Sequence, residues 1–340
     1  SSTSRGLGDV YKRQQNKQNI CFTFDQAYDE VFFVVITSII HNATDENKSK
    51  FNFFINYFGE INNIEKLLSN ANKRFPDNQF TFKHIPSEFP MLAEFSDDSY
   101  DFETAPKQIQ TSSVFCRFFL ASIYSDVKGF MIHMDLDMTV KADISELFEI
   151  AHNSEIEYPL FSCFNETINE ACIERPSTFK RKYERMFGRF PELKEKAISL
   201  GLISLFEKEY KSRRRSANTA FNAGIFMFNL DIIRTEKFEK KFSYCMRINM
   251  ARKIFRHNDQ GILNFIFQDN AGKFPVEWNA MWFGCESKWS MEYFGRCIPQ
   301  YAKGKLLHFN GPLKPWKELK TDHKEAQADW EYYQKLWETI

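Results

Sequence analysis

Two carboxylates two residues apart follow an apolar segment near the middle of the chain. Residues 130–134 read FMIHM, and Asp135 and Asp137 come just after them. Side chains alternate along a strand, so we expect both carboxylates on one face at the end of a buried strand. Hard oxygen ligands placed in this way suit Mg²⁺ or Mn²⁺, which keep coordination positions open for phosphate oxygens. The alternative interpretation is a solvated loop that contains two acids.

The same segment has a competing interpretation as a phosphatase motif. Residues 135–140 read DLDMTV, and an apolar run followed by D-x-D-x-T-V resembles the first motif of the haloacid-dehalogenase phosphatases. In that family the first aspartate is a nucleophile and the motif lies near the start of the domain. Here a long strand and helix pattern precedes it, and the later acidic cluster that the family needs is not found after residue 140. This interpretation therefore stays as the less favoured alternative.

Alternating strands and helices must position these carboxylates. The apolar patterns predict strands at 20–24, 51–58, 80–85, 129–134 and 221–230. They predict helices at 28–40, 61–71 and 112–122, then after Asp259 and in the tail from about Trp316. This order indicates an α/β fold with a central, mostly parallel sheet flanked by helices. In such sheets ligands bind at the carboxyl ends of the strands, where Asp135 and Asp137 are expected.

The composition excludes several classes of protein. Apolar residues make up 43% of the 340 and charged residues 26%, so the chain is neither disordered nor fibrous. Lys+Arg and Asp+Glu are equal at 45 each, and without a basic excess we expect no nucleic acid partner. The longest apolar run, residues 31–40, is much shorter than the ~20 residues of a membrane span. We therefore expect no transmembrane segment.

Five further segments resemble the retaining glycosyltransferases of family 8, which include lipopolysaccharide galactosyl- and glucosyltransferases and are related to glycogenin. Residues 24–28 resemble the family's opening strand and uridine-binding loop, and residues 112–117 the segment whose arginine precedes the D-x-D. Residues 221–230 resemble its N-A-G strand, and residues 258–264 its D-Q segment. Residues 307–316 read LHFNGPLKPW, which is close to the H-F-x-G-x-x-K-P-W signature of the family. The order and spacing hold over nearly the whole chain.

The resemblance implies a GT-A type nucleotide-diphospho-sugar transferase fold. It implies a metal-dependent, retaining transfer of a hexose from UDP-galactose or UDP-glucose, and we expect a glycan or lipid-linked acceptor. Asp135, Asp137 and His308 match the family's metal ligands, and a mixed carboxylate and imidazole set favours Mn²⁺, with Mg²⁺ as the alternative. Taken alone, His308 would be interpreted as a core histidine at the end of a strand. A self-glucosylating, glycogenin-like protein is a further alternative.

The resemblance also implies a donor site and a catalytic group. The residues expected to bind the UDP-sugar are Asp25, Tyr28, Arg117, Asp135, Asn222, Gly311 and Lys314. The residues expected to act in catalysis are Gln260, Asp259 and Lys314. Gly311 would permit close backbone approach to a pyrophosphate, and Lys314 would place a positive charge on the departing phosphate.

Most of these positions have a plainer interpretation. Tyr28, expected to stack on the uracil ring beside Asp25, is alternatively an ordinary aromatic residue of a first helical turn. Arg117, expected to brace the D-x-D carboxylates or the sugar, is alternatively part of a salt bridge on a helix surface. Lys314 is alternatively a solvated loop lysine. Asp259, expected to accept a hydrogen bond from a sugar hydroxyl, could also cap the next helix.

The remaining segments define the expected organisation. We interpret residues 1–14 as a non-native leader, which would mean that the native N-terminus and any anchor in it were lost. Residues 15–316 form the expected GT-A catalytic domain with a helical insertion at 164–218, and residues 317–340 the C-terminal helix. Acids are interleaved with the basic clusters of the insertion, so we interpret this segment as a solvated face, with an acceptor lid as the second choice. We expect a cytoplasmic protein, with peripheral membrane contact through the tail as the alternative to packing.

Overall fold

The computed structural model describes residues 17–85, 112–164, 176–211, 220–255, 258–267, 269–281, 303–310, 314–317 and 324–340. The strands are β1 (Gln18–Phe24), β2 (Phe51–Tyr57), β3 (Gln79–His84), β4 (Phe130–Met134), β5 (Met138–Val140), β6 (Leu160–Phe164), β7 (Phe221–Asn229), β8 (Ala271–Phe274), β9 (Ala280–Met281) and β10 (Leu306–His308). The first helices are α1 (Asp29–Asn42), α2 (Ile61–Arg74), α3 (Ser112–Cys116), α4 (Leu120–Ile123), α5 (Ser145–His152) and α6 (Pro176–Arg189). The later helices are α7 (Pro191–Ser199), α8 (Ile203–Lys211), α9 (Leu230–Thr235), α10 (Phe238–Arg252), α11 (Asn258–Ile266) and α12 (Lys324–Thr339).

A seven-stranded sheet with the order β3-β2-β1-β4-β7-β6-β8 forms the centre of the fold. Its strands run parallel except β7, which pairs antiparallel with β4 and with β6. The expectation of a mostly parallel α/β sheet is confirmed. Met134 lies opposite Ile225, so the amino end of β7 lies beside the carboxyl end of β4. This reversed strand brings the N-A-G segment next to Asp135.

A small second sheet carries the C-terminal signature to the same edge. Its order is β5-β10-β9, with β10 antiparallel to β5 and parallel to β9. His308 at the end of β10 lies opposite Met138, the residue after Asp137. The pairing of β10 with β5 therefore fixes where His308 lies relative to the D-x-D segment.

The two faces of the large sheet bury two separate apolar clusters. On β1, Ile20, Phe22 and Phe24 belong to one cluster and Cys21 to the other, because side chains alternate along a strand. Helices α1, α5 and α12 cover the first face, whereas α3, α10, α11 and the described part of the insertion cover the second. The insertion is helical over α6 to α8, as predicted. It thus contributes to a core instead of forming a separate unit.

The C-terminal helix packs on the domain. Trp330 and Tyr333 of α12 are 1% and 5% exposed, and Trp337 stacks on Phe33 of α1 with ring centroids 4.2 Å apart. These aromatic residues of the tail therefore form a packing face. Within the described ranges, no helix has the length and apolarity needed to cross a bilayer. The described cysteines, at positions 21, 116, 163 and 245, are buried free thiols.

Two helix predictions need correction near the site. Tyr28 does not begin α1; it ends a 3-10 turn over Gln26–Tyr28 whose N-cap is Asp25, and α1 begins at Asp29. The helix predicted at 112–122 is broken by a 3-10 turn over Arg117–Phe119. Phe119 leaves the helical region there, at φ −114° and ψ 19°. Helical periodicity in the sequence did not reveal this break, because both halves bury apolar side chains.

Candidate active site

The D-x-D carboxylates and His308 meet at the carboxyl edge of the large sheet. One ligand atom from each of Asp135, Asp137 and His308 lies within 4.8 Å of the other two. Asp135 follows β4 and Asp137 precedes β5, while His308 is the last residue of β10. The backbone N–H of Phe309 donates to the Asp137 carbonyl over 2.7 Å, which ties the two segments together. The structure therefore assembles the triad that the motifs predicted.

Arg117 holds the first carboxylate. Its Nη2 donates to Asp135 Oδ1 over 2.8 Å, and its Nη1 lies 3.1 Å from Asp259 Oδ2. Nη1 also donates to the carbonyl of Ala223 over 2.9 Å. Arg117 is buried, at 8% exposed, so it is not part of a salt bridge on a helix surface. The guanidinium thus connects Asp135 of the D-x-D segment to Asp259 of α11.

Burial and charge act in opposite directions on this ion pair. Burial raises the pKa of the Asp135 carboxyl, and Arg117 only partly offsets that rise. For Arg117, burial would lower the pKa, but the charges of Asp135 and Asp259 outweigh it and raise the pKa. The guanidinium therefore stays charged between two acids, and Asp135 is the less readily ionised member of the D-x-D pair.

Lys314 and His308 hold the second carboxylate. Lys314 Nζ donates to Asp137 Oδ2 over 2.6 Å and to the Phe309 carbonyl over 2.8 Å. His308 Nε2 lies 3.4 Å from Asp137 Oδ1. Burial alone would raise the pKa of Asp137, but His308 and Lys314 outweigh it and hold that pKa well below its usual range. Lys314 is thus held against the carboxylate and is not a freely solvated loop lysine.

Asn279 contacts the other ring nitrogen of His308, and the sequence motifs did not predict it. Asn279 Oδ1 lies 3.0 Å from His308 Nδ1, and its Nδ2 donates to Asn222 Oδ1 over 3.3 Å. Asn279 ends a 3-10 turn just before β9, which pairs with β10. Its segment carries no motif, so only the pairing of these two strands reveals its position.

The amides predicted to line the donor sugar bind one another. Asn222 Nδ2 and the backbone N–H of Ala223 donate to Gln260 Oε1 over 2.9 and 3.0 Å. Asn222 Oδ1 accepts from the backbone N–H of Gly224 over 2.9 Å. Asp259 lies in the first turn of α11 with its carboxylate on Arg117. These polar groups form one connected network along the amino end of β7.

Gly224 lies where a side chain does not fit. A Cβ at this position would be 2.4 Å from His308 Cε1, 2.7 Å from Met138 Cε and 2.8 Å from Asn222 Oδ1. Its carbonyl accepts from the backbone N–H of Asp135 over 2.8 Å. The glycine of the N-A-G segment therefore allows β7 to pass directly under the triad.

The residues expected to bind uracil lie at the end of β1, close to the triad. Asp25 Oδ1 accepts from the backbone N–H of Ala27 over 3.0 Å, so this oxygen caps the 3-10 turn. The Tyr28 ring lies edge to face with Trp316, with centroids 6.1 Å apart. Burial raises the pKa of Tyr28, and the charge of Asp137 raises it further. Gly311, expected at the pyrophosphate, lies outside the described residues.

A comparison with models of protein families assigns the chain to a family. The model described as glycosyl transferase family 8 matches residues 19–320. The chain belongs to this family. Glycosyltransferase 8 domain-containing protein 1 of Xenopus laevis is 25% identical over 209 residues, which cover 59% of this chain and 51% of the relative. This chain therefore spans about half the length of the curated relatives that it matches.

Solved structures of glycosyltransferases share the fold. The galactosyltransferase LgtC, in complex with donor and acceptor sugar analogs, superposes with a TM-score of 0.59 at 16% identity. That match covers 95% of this chain and 96% of LgtC. The bifunctional glycosyltransferase WbbM, in its apo form, superposes with a TM-score of 0.61 at 19% identity, covering 94% of this chain and 50% of WbbM. The fold is of the GT-A type, as the sequence motifs implied.

Proposed function

We propose that this protein is a metal-dependent, retaining glycosyltransferase that transfers a hexose from UDP-galactose or UDP-glucose to a glycan or lipid-linked acceptor. The observation that carries the proposal is the meeting of Asp135, Asp137 and His308 in a chain of family 8. Lys314 lies against the same group. The family assignment removes the basis for the phosphatase alternative. Cytoplasmic location and peripheral membrane contact stay predictions.

The chemistry of the donor set fits a divalent cation. Two carboxylates and one imidazole would hold Mn²⁺, or Mg²⁺ as the alternative, and leave positions for phosphate oxygens. Such an ion, when bound, offsets as a Lewis acid the negative charge that develops on the departing diphosphate. Asp137 is the ligand whose ionised form its neighbours favour most. We therefore expect Asp137 to be ionised, as a ligand must be, at neutral pH.

The chain's own residues then bind and orient the donor. Lys314 would place a compact positive charge beside the departing phosphate, where a preorganised cation stabilises developing charge. Asp25 and Tyr28 would bind the uracil edge and ring. Tyr28 contacts Trp316 of the same segment that carries Lys314, which supports adjoining sites for the base and the diphosphate.

The donor sugar would lie above the amide network of β7 and α11. Asp259 would accept a hydrogen bond from a sugar hydroxyl while Arg117 holds its carboxylate. Asn222 and Gln260 would line the sugar through the parts of their amides that face it, while Gln260 Oε1 anchors the network. Because LgtC, a structural neighbour, is a galactosyltransferase, UDP-galactose is the first donor to test.

Calorimetric titration of UDP, with and without Mn²⁺, tests the donor site without any acceptor. We expect binding that requires Mn²⁺ in the wild type and is lost in Asp137→Asn. Asp77→Asn serves as the matched control, because Asp77 is exposed and precedes β3 at the opposite edge of the sheet. Absence of UDP binding in the wild type under both conditions would refute the proposal.

The identity of the donor and the self-glucosylation alternative need a second measurement. The intact chain is incubated with Mn²⁺ and either UDP-galactose or UDP-glucose, and both hydrolysed donor and protein mass are recorded. We expect faster hydrolysis of one donor and an unchanged protein mass. A mass increase in hexose steps would instead support a self-glucosylating protein.

A further inference from the structure

We propose that Asn279 and Asn222 are positioning residues that hold His308 in a single tautomer, with Nδ1 protonated and Nε2 directed at the metal site. Neither asparagine is among the expected metal ligands, and both would act on the metal site through the imidazole. The metal part of this inference rests on the proposed function. The tautomer itself follows from hydrogen-bond polarity alone.

Two backbone N–H groups fix the orientation of the Asn222 amide. A backbone N–H can only donate, so the Asn222 atom that contacts the Gly224 N–H must be the oxygen. In the same way, the N–H of Ala223 requires that Gln260 present its Oε1. That oxygen in turn needs a donor from Asn222, which is Nδ2 at 2.9 Å. Both ends of the Asn222 amide are thereby assigned.

The assignment passes from Asn222 to Asn279 and then to His308. Asn222 Oδ1 accepts, so the Asn279 atom 3.3 Å away must be the amino group Nδ2. The Asn279 oxygen then faces His308 Nδ1 at 3.0 Å. An amide oxygen can only accept, so Nδ1 of His308 must carry the hydrogen. A neutral imidazole with Nδ1–H has its lone pair on Nε2, which is the form that a metal ligand requires.

Burial prevents water from substituting for these bonds. Asn222, Asn279 and His308 are 8%, 2% and 1% exposed. Reversing one amide would place oxygen against oxygen or donor against donor at each following contact, and a buried polar group without its partner costs about 1–3 kcal/mol. The network therefore favours one arrangement of all three side chains.

The remaining nitrogen faces the carboxylates. His308 Nε2 lies 3.4 Å from Asp137 Oδ1, so in this tautomer a lone pair opposes a carboxylate oxygen. Two acceptors at this separation repel each other unless a cation lies between them. The hydrogen-bond relay from Asn222 through Asn279 to His308 thus leaves Nε2 free to coordinate a cation. It also disfavours the tautomer in which Nε2 would donate to Asp137.

Nitrogen-15 NMR of histidine-labelled protein tests the relay directly. Spectra are recorded in EDTA at a pH where the imidazoles are neutral, and His308 is assigned by comparison with His308→Gln. We expect Nδ1–H for His308 in the wild type. Asn279→Asp retains an acceptor for Nδ1 and should keep this tautomer, whereas Asn279→Leu should populate both tautomers. Asn56→Leu is the matched control, because Asn56 is a fully buried, hydrogen-bonded amide of β2 outside this network.

Titration with MnCl₂ alone gives the second readout. We expect Asn279→Leu to lower the Mn²⁺ affinity by about 10- to 100-fold, the usual effect of losing an outer partner of a ligating histidine. Asn56→Leu should bind Mn²⁺ within about threefold of the wild type, a factor equivalent to less than 1 kcal/mol. Wild-type His308 with Nε2–H would overturn the inference, whether or not any variant folds. So would Asn279→Leu with unchanged tautomer and affinity. If the wild type binds neither Mn²⁺ nor UDP, the proposed function fails while the tautomer remains measured.

Discussion

The two sides of the candidate site shift the pKa values of two neighbouring carboxylates in opposite directions. On the arginine side, which consists of Arg117, Asp135 and Asp259, burial raises the pKa of Asp135. On the lysine side, which consists of Asp137, His308 and Lys314, the pKa of Asp137 is held well below its usual range. Asp135 and Asp137 are two residues apart and chemically identical. Their difference comes from which elements the fold brings against each of them.

The two sides also rest on different parts of the fold. Arg117 follows α3 and Asp259 belongs to α11, and both helices cover the second face of the large sheet. His308 belongs to β10 of the small sheet, and Lys314 lies shortly after it. The arginine side is therefore held by the central core, whereas the lysine side depends on the pairing of β10 with β5. This contrast leads to predictions in order of expected size.

Removing the guanidinium should have the largest effect on stability. Arg117→Met leaves Asp135 and Asp259 without their common partner, and breaking a buried ion pair costs about 3–5 kcal/mol. Urea unfolding measures the free energy of unfolding, and Arg181→Met on the exposed side of α6 is the control, expected within about 0.5 kcal/mol of the wild type. A loss below about 1 kcal/mol, the range of surface pairs, would contradict the structure.

Neutralising each carboxylate in turn should separate the two sides. In metal-free buffer at neutral pH, Asp137→Asn should lower the free energy of unfolding by about 1.5–3 kcal/mol, since it removes the charge-assisted bond from Lys314. Asp135→Asn should lower the free energy of unfolding by a smaller amount, because burial disfavours the ionised form of Asp135. Each variant serves as the control for the other in urea unfolding with EDTA. Equal losses would remove the electrostatic distinction between the two sides.

Inserting one methyl group at Gly224 should disturb both sides. Gly224→Ala places a Cβ against His308, Met138 and Asn222, and overpacking of this kind costs about 1–3 kcal/mol. Thermal unfolding and Mn²⁺ titration measure the outcome, and we expect weaker Mn²⁺ binding as well. Gly188→Ala is the control, because a Cβ there meets nothing within 4 Å and alanine favours the helix α6. Unchanged Mn²⁺ affinity in Gly224→Ala would show that His308 adjusts freely.

Removing Lys314 should produce the smallest change, visible as a shift in pH dependence. The pKa of Asp137 is depressed in the folded protein, so its ionised form stabilises the fold at neutral pH. That contribution is lost as the pH falls through the depressed pKa. In Lys314→Met the folded pKa of Asp137 should be less depressed, so the loss should be smaller by on the order of 1 kcal/mol, roughly one pKa unit, and should be complete at a higher pH. Urea unfolding in EDTA across acidic pH, with the exposed Lys73→Met on α2 as the control, measures this shift. Superimposable wild-type and Lys314→Met profiles would contradict a role of Lys314 in holding Asp137 ionised.

Local sequence patterns were sufficient to predict most strands and helices, but not the 3-10 turn that breaks one of the helices. The strands at β1, β2, β4 and β7 were predicted within a residue or two, because alternating and apolar runs reflect burial directly. The break at Arg117–Phe119 was missed because apolar spacing continues through it. That break lies at the residue whose side chain holds two carboxylates. The resemblance to family 8 related Arg117 to the D-x-D segment, but it did not show that the side chain is buried.

Some features of the candidate site were likewise predicted from the sequence, and others were seen only in the structure. The sequence by itself predicted the candidate metal triad and Lys314, because the D-x-D segment and the longer signature at 307–316 together resemble family 8. Only the tertiary structure showed Asn279, the amide network and the unequal charges of Asp135 and Asp137. The physical reason is that these features depend on β7 running against β4 and on β10 pairing with β5 and β9. Hydrogen-bond polarity and burial are properties of such contacts between distant segments, so no single segment encodes them.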